Sequence, residues 1–515
     1  MQKRIFFCNF AMGVYTKSRK SGQSPKVESA GKALKWKVMD NIFFLGIGGI
    51  GMSALARYFH LQGKCVAGYD LTPSPLIKRL EEEGMSIIFD DDPNDIPAHF
   101  RDKSNTFVVR TPAVPADSKL LLWFEKQGFE IRKRSEVLGM ITNDKKALCV
   151  AGTHGKTTTS TMLAHLLQSA KTDGTNAFLG GISMNYDTNM LFSAESDLVV
   201  VEADEYDRSF HYLKPEMAVI TSTDPDHLDI YGTADNYREA FSVFTSLIHP
   251  DGVLLRKKGI VLESRTQKGV REYTYSADNT DADFYADNIR TTDGNIYFDF
   301  HGKYGADTAD ADSLTPAGTT AYPYDIRNIQ LGVPVEVNIE NAVAAIAIAR
   351  LNGVSSEDIK HGMATFRGTL RRFNTLLKTD HITLIDDYAH HPDELRNSIT
   401  SVRKLYPEAE LIGVFQPHLY SRTRDFHKQF GNALSLLDQV ILLPIYPARE
   451  LPIDGVTSEL IYNAITTTNK YLCEKSDLTT LLSNAVKGTS KKVILTLGAG
   501  DIDRLLPQIK QTLNS

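Results

Sequence analysis

Short apolar runs alternate along this chain with longer segments whose apolar residues recur at helical spacing. This alternation is typical of α/β proteins, in which buried parallel strands are connected by helices. The clearest predicted helices cover residues 52–61, 158–168 and 336–350. The pattern therefore predicts an α/β fold, with strands at residues 41–45, 65–69, 86–89, 106–109, 147–151, 197–201, 218–221, 382–385, 411–415, 440–443 and 493–497.

The length of the chain adds a domain count to this picture. A chain of 515 residues is too long for one ordinary core and predicts roughly three domains. Residues 1–38 are predicted to be a disordered extension, because a short, interrupted apolar run is followed by a basic and polar stretch. Met39, just before the first predicted strand, is a candidate for the true start.

Charge and cysteine content exclude several classes of protein. The net charge of −6 argues against a nucleic-acid-binding protein. The four cysteines contain no C-x-x-C pair, so neither a disulfide framework nor a zinc site is expected, and a reducing, cytoplasmic location is favoured. No apolar run approaches the length of a membrane span, so no membrane insertion is expected.

The first predicted strand runs into a glycine-rich loop that opens a helix. Gly46, Gly48 and Gly51 match the pattern G-x-G-x-x-G, and Asp70 ends the next strand, where an acidic group meets a ribose hydroxyl in such folds. The loop (Gly46, Gly48, Gly49, Ile50, Gly51) therefore predicts a diphosphate-binding site. A nicotinamide dehydrogenase fits these residues equally well.

A second glycine loop follows the strand at residues 147–151. Gly152-Thr153-His154-Gly155-Lys156-Thr157 leads into a predicted helix, so backbone N–H groups, the helix dipole and Lys156 converge on one point. We predict that this loop, with Thr158, binds the phosphates of ATP and that Thr157 offers its hydroxyl to Mg²⁺. The loop is a short variant, because Val150 stands where the full pattern has glycine. The alternative is a glycine turn with a solvated lysine.

Acidic and polar clusters follow the next two predicted strands. Glu202, Asp204, Glu205 and Asp207 come directly after residues 197–201, and their mutual repulsion predicts a bound Mg²⁺. A solvated acidic loop is the alternative. His227 lies in the cluster after the following strand, either as a metal ligand or as a structural histidine.

Further polar groups occur toward the C-terminus. Asn338 and Asn341 share one face of the helix at 336–350, as ligands or as helix caps. Beyond a basic junction at 371–372, predicted strands end in polar or glycine clusters at 386–392, 416–424 and 498–501. This arrangement predicts another α/β domain with a site along one sheet edge.

Together these strings resemble the Mur ligases of peptidoglycan synthesis. The resemblance extends in collinear order over about residues 41–503. It rests on G-I-G-G-I-G-M (46–52), G-T-H-G-K-T-T-T (152–159), E-A-D-E-x-D-x-S-F (202–210), D-H-L-D (226–229), N-x-x-N-A (338–342), R-R-F (371–373), D-D-Y-A-H-H-P (386–392) and F-Q-P-H-x-Y-S-R-T (415–423).

The resemblance implies a fold and a reaction. It implies an N-terminal Rossmann-like domain for UDP (39–143), a central P-loop ATPase-type α/β domain for ATP (144–366) and a C-terminal Rossmann-like domain for the amino acid (367–515). In the implied reaction, ATP phosphorylates the lactyl carboxylate of UDP-N-acetylmuramate, and the amine of L-alanine attacks the acyl phosphate. The expected assembly is a monomer or a homodimer.

The resemblance also implies roles for individual residues. Lys156 contacts the transferring phosphoryl group, while Glu202 and His227 hold a second Mg²⁺. Asn338, Asn341 and Arg372 hold the nucleotide. Asp387 lies near ATP and the incoming amine, and the muramyl and amino-acid pocket is lined by His390, His418 and Arg422.

Three positions depart from the family pattern. Ser222 stands where many relatives have Asn, Val337 where His is common, and Leu419 where Arg is frequent. We weigh two alternatives to the alanine-adding reaction: a ligase that attaches a preformed tripeptide to the same nucleotide, and a non-catalytic nucleotide-binding regulator.

Overall fold

The computed structural model describes residues 38–292, 294–303, 325–448 and 450–514. These residues form three sheets flanked by helices, which confirms the predicted α/β fold. The chain divides into two compact units between Lys145 and Lys146. Apart from Val38, the predicted extension lies outside the described residues. The finer domain bounds proposed from the sequence stay a prediction.

The first unit contains one parallel sheet whose central strand is buried along its whole length. Its strands are β1 (Asn41–Leu45), β2 (Cys65–Tyr69), β3 (Ser86–Ile88), β4 (Thr106–Arg110) and β5 (Glu130–Lys133), in the order β3-β2-β1-β4-β5. Its helices are α1 (Ile50–Leu61), α2 (Pro75–Glu82), α3 (Lys119–Gln127) and α4 (Arg134–Asn143).

The second unit begins with a ten-stranded sheet. Its strands are β6 (Lys146–Ala151), β7 (Asn176–Ser183), β8 (Thr188–Leu191), β9 (Leu198–Glu202), β10 (Pro215–Ile220), β11 (Val253–Lys257), β12 (Arg271–Ser276), β13 (Phe284–Thr292), β14 (Asn295–Gly302) and β15 (Ile326–Leu331). The order is β15-β14-β13-β12-β11-β10-β6-β9-β7-β8. Neighbouring strands between β13 and β7 are parallel, whereas the pairs at the two ends of the sheet, β15–β14, β14–β13 and β7–β8, are antiparallel. Its helices are α5 (Lys156–Ser169), α6 (Leu228–Tyr231), α7 (Ala234–Thr245), α8 (Val337–Leu351) and α9 (Ser356–Thr365).

A six-stranded sheet completes the second unit. Its strands are β16 (Asn374–Lys378), β17 (Ile382–Asp387), β18 (Glu410–Phe415), β19 (Gln439–Leu442), β20 (Lys470–Leu472) and β21 (Lys492–Leu497), in the order β16-β17-β21-β18-β19-β20, with only β16 antiparallel. The helices are α10 (Pro392–Leu405), α11 (Tyr420–Leu434), α12 (Glu459–Ala464), α13 (Leu478–Ala485) and α14 (Leu506–Asn514).

Helices α5 and α8 pack against each other in the core of the second unit. Met162 and Leu163 on α5 are fully buried, and so is the alanine-rich middle of α8. Alanine side chains permit close helix contact, so α8 holds the N-terminal end of α5 firmly in place. That end carries the phosphate loop.

Strand order decides which loops meet. β6 lies between β10 and β9, and β21 lies between β17 and β18. Because the carboxyl ends of parallel strands share one edge, the polar clusters predicted after these strands converge. Among the described residues, no helix has both the length and the apolar character needed to cross a membrane.

Candidate active site

The phosphate loop joins β6 to α5 with two residues in the left-handed region. Gly152 has φ 137° and Gly155 has φ 82°, a region that favours glycine. Space is short as well, because a Cβ on Gly152 would lie 2.1 Å from Thr221 Oγ1. α5 begins at Lys156, two residues before the predicted helix start, so Lys156 and Thr157 lie in its first turn. The loop therefore has the strand–loop–helix geometry predicted from the sequence.

Ser222, the first departure from the family pattern, supports this loop. Its hydroxyl accepts a hydrogen bond from the His154 amide at 2.8 Å, and its carbonyl accepts one from the Thr153 amide at 3.3 Å. The Thr221 hydroxyl donates to the Ala151 carbonyl at 3.1 Å. The end of β10 thus braces the phosphate loop from beneath.

Lys156 is held close to its own loop. Its Nζ lies 2.6 Å from the Gly152 carbonyl and 2.8 Å from Glu205 Oε2. Burial raises the pKa of Glu205, and the Lys156 ammonium opposes that rise. Tyr237 lies behind the pair, 3.5 Å from Glu205 and 2.9 Å from the Thr153 hydroxyl. Sequence reasoning noted Glu205 only as one acid of a cluster, although its place in E-A-D-E was the available signal.

Glu202 presents a buried oxygen to the same region. The Thr157 hydroxyl donates to Glu202 Oε1 at 3.1 Å, whereas Oε2 has no hydrogen-bond partner among the described residues. Burial raises the pKa of Glu202, and Lys156 and Arg372 oppose the rise. A buried carboxylate oxygen without a partner is costly unless a cation approaches it. Thr157 and Glu202 therefore fit one hard cation such as Mg²⁺.

A cavity of about 380 Å³ opens beside these groups, within the second unit. Elements of both its sheets contribute, and apolar side chains form part of the wall. Many predicted residues line it: Thr153, His154, Gly155, Lys156, Thr157, Thr158, Glu202, Asn338, Asn341, Arg372 and Asp387. The structure thus brings the predicted nucleotide-binding residues together.

Asn338 and Asn341 do not act as caps in the described structure of α8. Asn341 accepts a hydrogen bond from Thr159 at 3.1 Å and donates one to Asn338 at 3.1 Å. Asn338 in turn donates to the Val333 carbonyl at 3.2 Å. The pair joins α8 to α5 at the cavity wall, so the capping alternative is wrong.

Asp387 is a buried carboxylate at the end of β17. It accepts a hydrogen bond from the hydroxyl of Ser398, a residue on α10 that sequence reasoning missed. Burial raises the pKa of Asp387 to about 6, with Ser398 and Arg372 opposing. At neutral pH the carboxyl is therefore mostly ionised but remains able to accept a proton.

His390, His418 and Arg422 form a neighbouring cluster outside the cavity lining. The rings of His390 and His418 lie 6.1 Å apart, and His418 stacks on Tyr446 at 5.8 Å. Two buried nitrogens, His418 Nδ1 and Arg422 Nη1, have no hydrogen-bond partner within the described chain. Leu419, the departure between them, has φ 71°, a left-handed conformation that is unusual for leucine. The cluster presents unsatisfied nitrogens, and that of Arg422 is a donor that suits an anionic group.

His227 is placed elsewhere. It precedes α6 with φ 52°, packs on the Tyr206 ring at 5.0 Å and does not belong to the described cavity lining that Glu202 shares. Within the described chain, no three Asp, Glu, His or Cys side chains converge as they would around a metal ion. The structure joins Thr157 to Glu202 but does not add His227, whose role as a ligand stays a prediction.

The glycine loop of the first unit has its own polar partners. The Gly48 amide donates to Asp70 Oδ2 at 2.8 Å, so this carboxylate orders the loop in addition to its predicted ribose contact. Arg134, the first residue of α4, packs against Gly51, where a Cβ would lie 2.7 Å from its Nη1. No local pattern singles out Arg134, and sequence reasoning missed it.

The electrostatics of the histidine cluster can be measured directly. Burial and, to a smaller extent, the neighbouring Arg422 cation lower the pKa of His418 to about 4. We expect His418 to stay neutral until the pH falls below about 5 and its pKa to rise in the Arg422→Gln variant, because a neighbouring cation disfavours imidazolium. NMR titration of the histidine ring nitrogens measures both. An unchanged pKa in the variant would contradict this account.

Three comparisons with known proteins agree with the geometry. Residues 41–146 match the description "Mur ligase family, catalytic domain", 150–349 "Mur ligase middle domain", and 371–500 "Mur ligase, glutamate ligase domain". The UDP-N-acetylmuramate–L-alanine ligase of Parabacteroides distasonis is 55% identical over 92% of this chain and 97% of the relative. That of Flavobacterium johnsoniae is 43% identical over 92% of this chain and 98% of the relative.

Solved structures show the same fold. The UDP-N-acetylmuramate–alanine ligase of Thermotoga maritima matches with a TM-score of 0.73 and 25% identity over 92% of this chain and 99% of that one. A murein peptide ligase of Psychrobacter arcticus matches with a TM-score of 0.60 and 20% identity over 92% and 98% of the two chains. With profile matches along most of its length and close relatives of nearly equal length, the chain belongs to the Mur ligase family.

Proposed function

We infer that this protein is an ATP-dependent ligase that joins L-alanine to the lactyl carboxylate of UDP-N-acetylmuramate. Relatives that are 53–55% identical over more than nine-tenths of this chain are named UDP-N-acetylmuramate–L-alanine ligase. One structural observation carries the chemistry: the cavity that joins the phosphate loop to the partnerless Glu202 oxygen and to Arg372 and Asp387. This arrangement suits the activation of a carboxylate by a nucleoside triphosphate.

The cavity suits ATP in both its polar and its apolar parts. The phosphate loop supplies amide groups, a helix N-terminus and the Lys156 ammonium for the phosphates. Val333, Val335, Phe366 and Phe373 also line the cavity and provide an apolar wall for a base. Lys156 would exchange part of its contact with Glu205 for the phosphate oxygens. We propose that Asn338, Asn341 and Arg372 complete the nucleotide site.

Mg²⁺ is the cation that fits Thr157 and Glu202. A hydroxyl and a carboxylate oxygen are hard ligands, and the Glu202 oxygen lacks another described partner. When bound, the ion would neutralise charge on the phosphates during transfer. His227 remains a proposed ligand that would have to approach from its position beside Tyr206.

The reaction balances in two steps. A lactyl carboxylate oxygen attacks the γ-phosphorus of ATP and ADP leaves, giving an acyl phosphate. The neutral amine of L-alanine then attacks the carbonyl carbon, and the tetrahedral intermediate breaks its bond to phosphate. A proton must leave the amine, and we propose that Asp387, a mostly ionised buried carboxylate beside Arg372, receives it.

The histidine cluster is the proposed amino-acid site. The partnerless Arg422 and His418 nitrogens suit the carboxylate of L-alanine, and His390 lies beside them. In the first unit, the glycine loop and Asp70 are proposed to hold UDP, with Arg134 as a further cation for its diphosphate. The cytoplasmic location and the monomeric or dimeric state stay predictions.

Substrate choice separates this function from the tripeptide-attaching alternative. With UDP-N-acetylmuramate, ATP and Mg²⁺, we expect phosphate release that depends on L-alanine, because relatives 53–55% identical to this chain are named UDP-N-acetylmuramate–L-alanine ligase. A coupled phosphate assay with L-alanine, glycine, L-serine and the tripeptide measures the preference. Release with the tripeptide and none with L-alanine would favour the recycling ligase, and no release with any amine would favour a regulator.

Removal of the loop lysine tests the nucleotide site. Lys156→Ala should reduce turnover at least a thousandfold, about the scale of losing a main electrostatic contact to the transferring group. The variant also leaves Glu205 buried without its cation, so Lys156→Ala/Glu205→Gln serves as the folding control. Lys146→Ala, which removes an exposed lysine of the same unit, should keep activity. Substantial turnover in both Lys156 variants would contradict the assignment.

Glu202 offers a test of the cation that does not depend on turnover. Glu202→Gln should leave the ligand-free protein at least as stable, because burial already disfavours the ionised carboxylate. The Mg²⁺-dependent part of the thermal stabilisation by ATP should disappear. Differential scanning fluorimetry with ATP, with and without Mg²⁺, measures this, with the exposed Glu263→Gln as control. A full Mg²⁺-dependent shift in Glu202→Gln would exclude Glu202 as a ligand.

A further inference from the structure

The segment 367–373, here called the linker, connects the two sheets of the second unit and passes along the nucleotide cavity. Its first half pairs with the ten-stranded sheet. The Met184 amide donates to the Gly368 carbonyl at 2.9 Å, and the Leu370 amide donates to the Ile182 carbonyl at 2.8 Å. Thr369 forms an antiparallel bridge with Ser183 at the end of β7. Up to Leu370, the linker is therefore paired with the end of β7 through one isolated antiparallel bridge.

From Arg371 onward the linker belongs to the six-stranded sheet, here called the C-terminal sheet. The Arg371 carbonyl accepts a hydrogen bond from the Tyr388 amide at 2.7 Å. The Arg371 guanidinium lies 3.3 Å from Asp386 Oδ2 and donates to the Gly500 carbonyl at 3.1 Å and to the Gly498 carbonyl. These three acceptors come from two different strand ends, β17 and β21. One side chain thus ties the linker to both.

The change from one sheet to the other takes place between Leu370 and Arg371. Arg371 has φ 63° and Phe373 has φ 54°, so two non-glycine residues of the linker adopt the left-handed region. Such a backbone persists only where its surroundings over-determine it. The Arg371 side chain is only 11% exposed, and its contacts with Asp386, Gly498 and Gly500 hold this backbone against the C-terminal sheet.

Arg372, between these two residues, lines the nucleotide cavity together with Asp387. The Tyr388 ring has the Arg371 guanidinium 5.3 Å and the Arg372 guanidinium 5.6 Å from its centre. Arg371 therefore fixes the backbone and the aromatic surface from which Arg372 reaches the cavity. Its partner Asp386 directly precedes Asp387 on β17.

We propose that Arg371 is a positioning residue that sets Arg372 and Asp387 against the bound nucleotide by locking the linker to the C-terminal sheet. This proposal rests on the proposed function, because it takes the cavity as the ATP site. Arg371 touches no reacting atom in this account. Its effect passes through the linker backbone and Tyr388 to Arg372, and through Asp386 to Asp387.

The decisive variant removes both charges of the Arg371–Asp386 ion pair, here called the lock. Arg371→Met alone would leave Asp386 buried without its cation, and loss of folding could hide the effect. In Arg371→Met/Asp386→Asn neither charge of this ion pair remains, and the Asn oxygen keeps its hydrogen bond from Thr496, which is 2.7 Å from Asp386 in the wild type. We expect kcat to fall about 10- to 100-fold and KM for ATP to rise severalfold, the scale of a misplaced contact group. KM for UDP-N-acetylmuramate should change less than about twofold.

Arg371→Lys keeps the positive charge beside Asp386 but not the planar fork that reaches both glycine carbonyls. An intermediate loss of kcat is expected, with wild-type thermal stability. Arg403→Met is the matched control, because Arg403 also contacts one carboxylate, Asp438, and two carbonyls, of Ala409 and Leu436, at the far end of α10. The control should keep kcat and KM for ATP.

The outcomes separate the two proposals. Wild-type kcat and KM for ATP in both the double variant and Arg371→Lys would overturn the positioning role. Equal losses in Arg403→Met would overturn it as well, since any disturbance of this sheet would then suffice. If the wild-type protein releases no phosphate with L-alanine, the proposed function fails instead, and calorimetric titration with ATP still tests the lock. An ATP dissociation constant unchanged in the double variant would then overturn it.

Discussion

Buried carboxylates at the ends of parallel strands are the constraint on which this structure depends. Glu202, which is half-buried, ends β9, and the buried Glu205 follows it, while the buried pair Asp386 and Asp387 ends β17. Carboxylates in such positions are tolerated only with cations and hydrogen-bond donors nearby. Three cations, from Lys156, Arg371 and Arg372, serve them: Lys156 meets Glu205 across 49 positions of the chain, and Arg371 meets Asp386 across 15. The need to compensate these acids therefore draws the phosphate loop and the linker to one cavity.

The same constraint suits the site to the polyanion that we propose it binds. Lys156 is shared between Glu205 and the loop carbonyls, so phosphate oxygens would enter an exchange of partners instead of meeting an exposed charge. Glu202 keeps one oxygen without a described partner, which only a cation or a donor from outside the chain would satisfy. The histidine cluster behaves in the opposite sense, with unsatisfied nitrogens that suit an anion. One site thus has a carboxylate oxygen that suits a cation, and the neighbouring site has nitrogens that suit an anion. This combination suits a reaction that brings a triphosphate, a metal ion and an amino acid together.

Local sequence predicted much of this architecture. The strand–loop–helix at residues 147–168 and the glycine loop after β1 were predictable because glycine spacing, helix periodicity and buried strands act within a few residues. The alternation of strands and helices led to the α/β class, and several collinear strings led to the Mur ligase family. The cavity brings together most of the residues that those strings predicted to bind the nucleotide, whose role stays a prediction.

Other features depended on contacts between residues far apart in the chain. Glu205 meets Lys156 across 49 positions, and Arg371 meets the Gly500 carbonyl across 129, separations over which local pattern carries no information. The roles of Ser222 beneath the phosphate loop, of Arg134 beside Gly51 and of Ser398 on Asp387 arise in the same way. Strand, loop and helix propensities are local, so the elements and the polar groups at their ends could be predicted from the sequence. Which buried charges share a cation, and the separation of His227 from Glu202, depend on strand order and helix packing, because these set the distances between residues far apart in the chain.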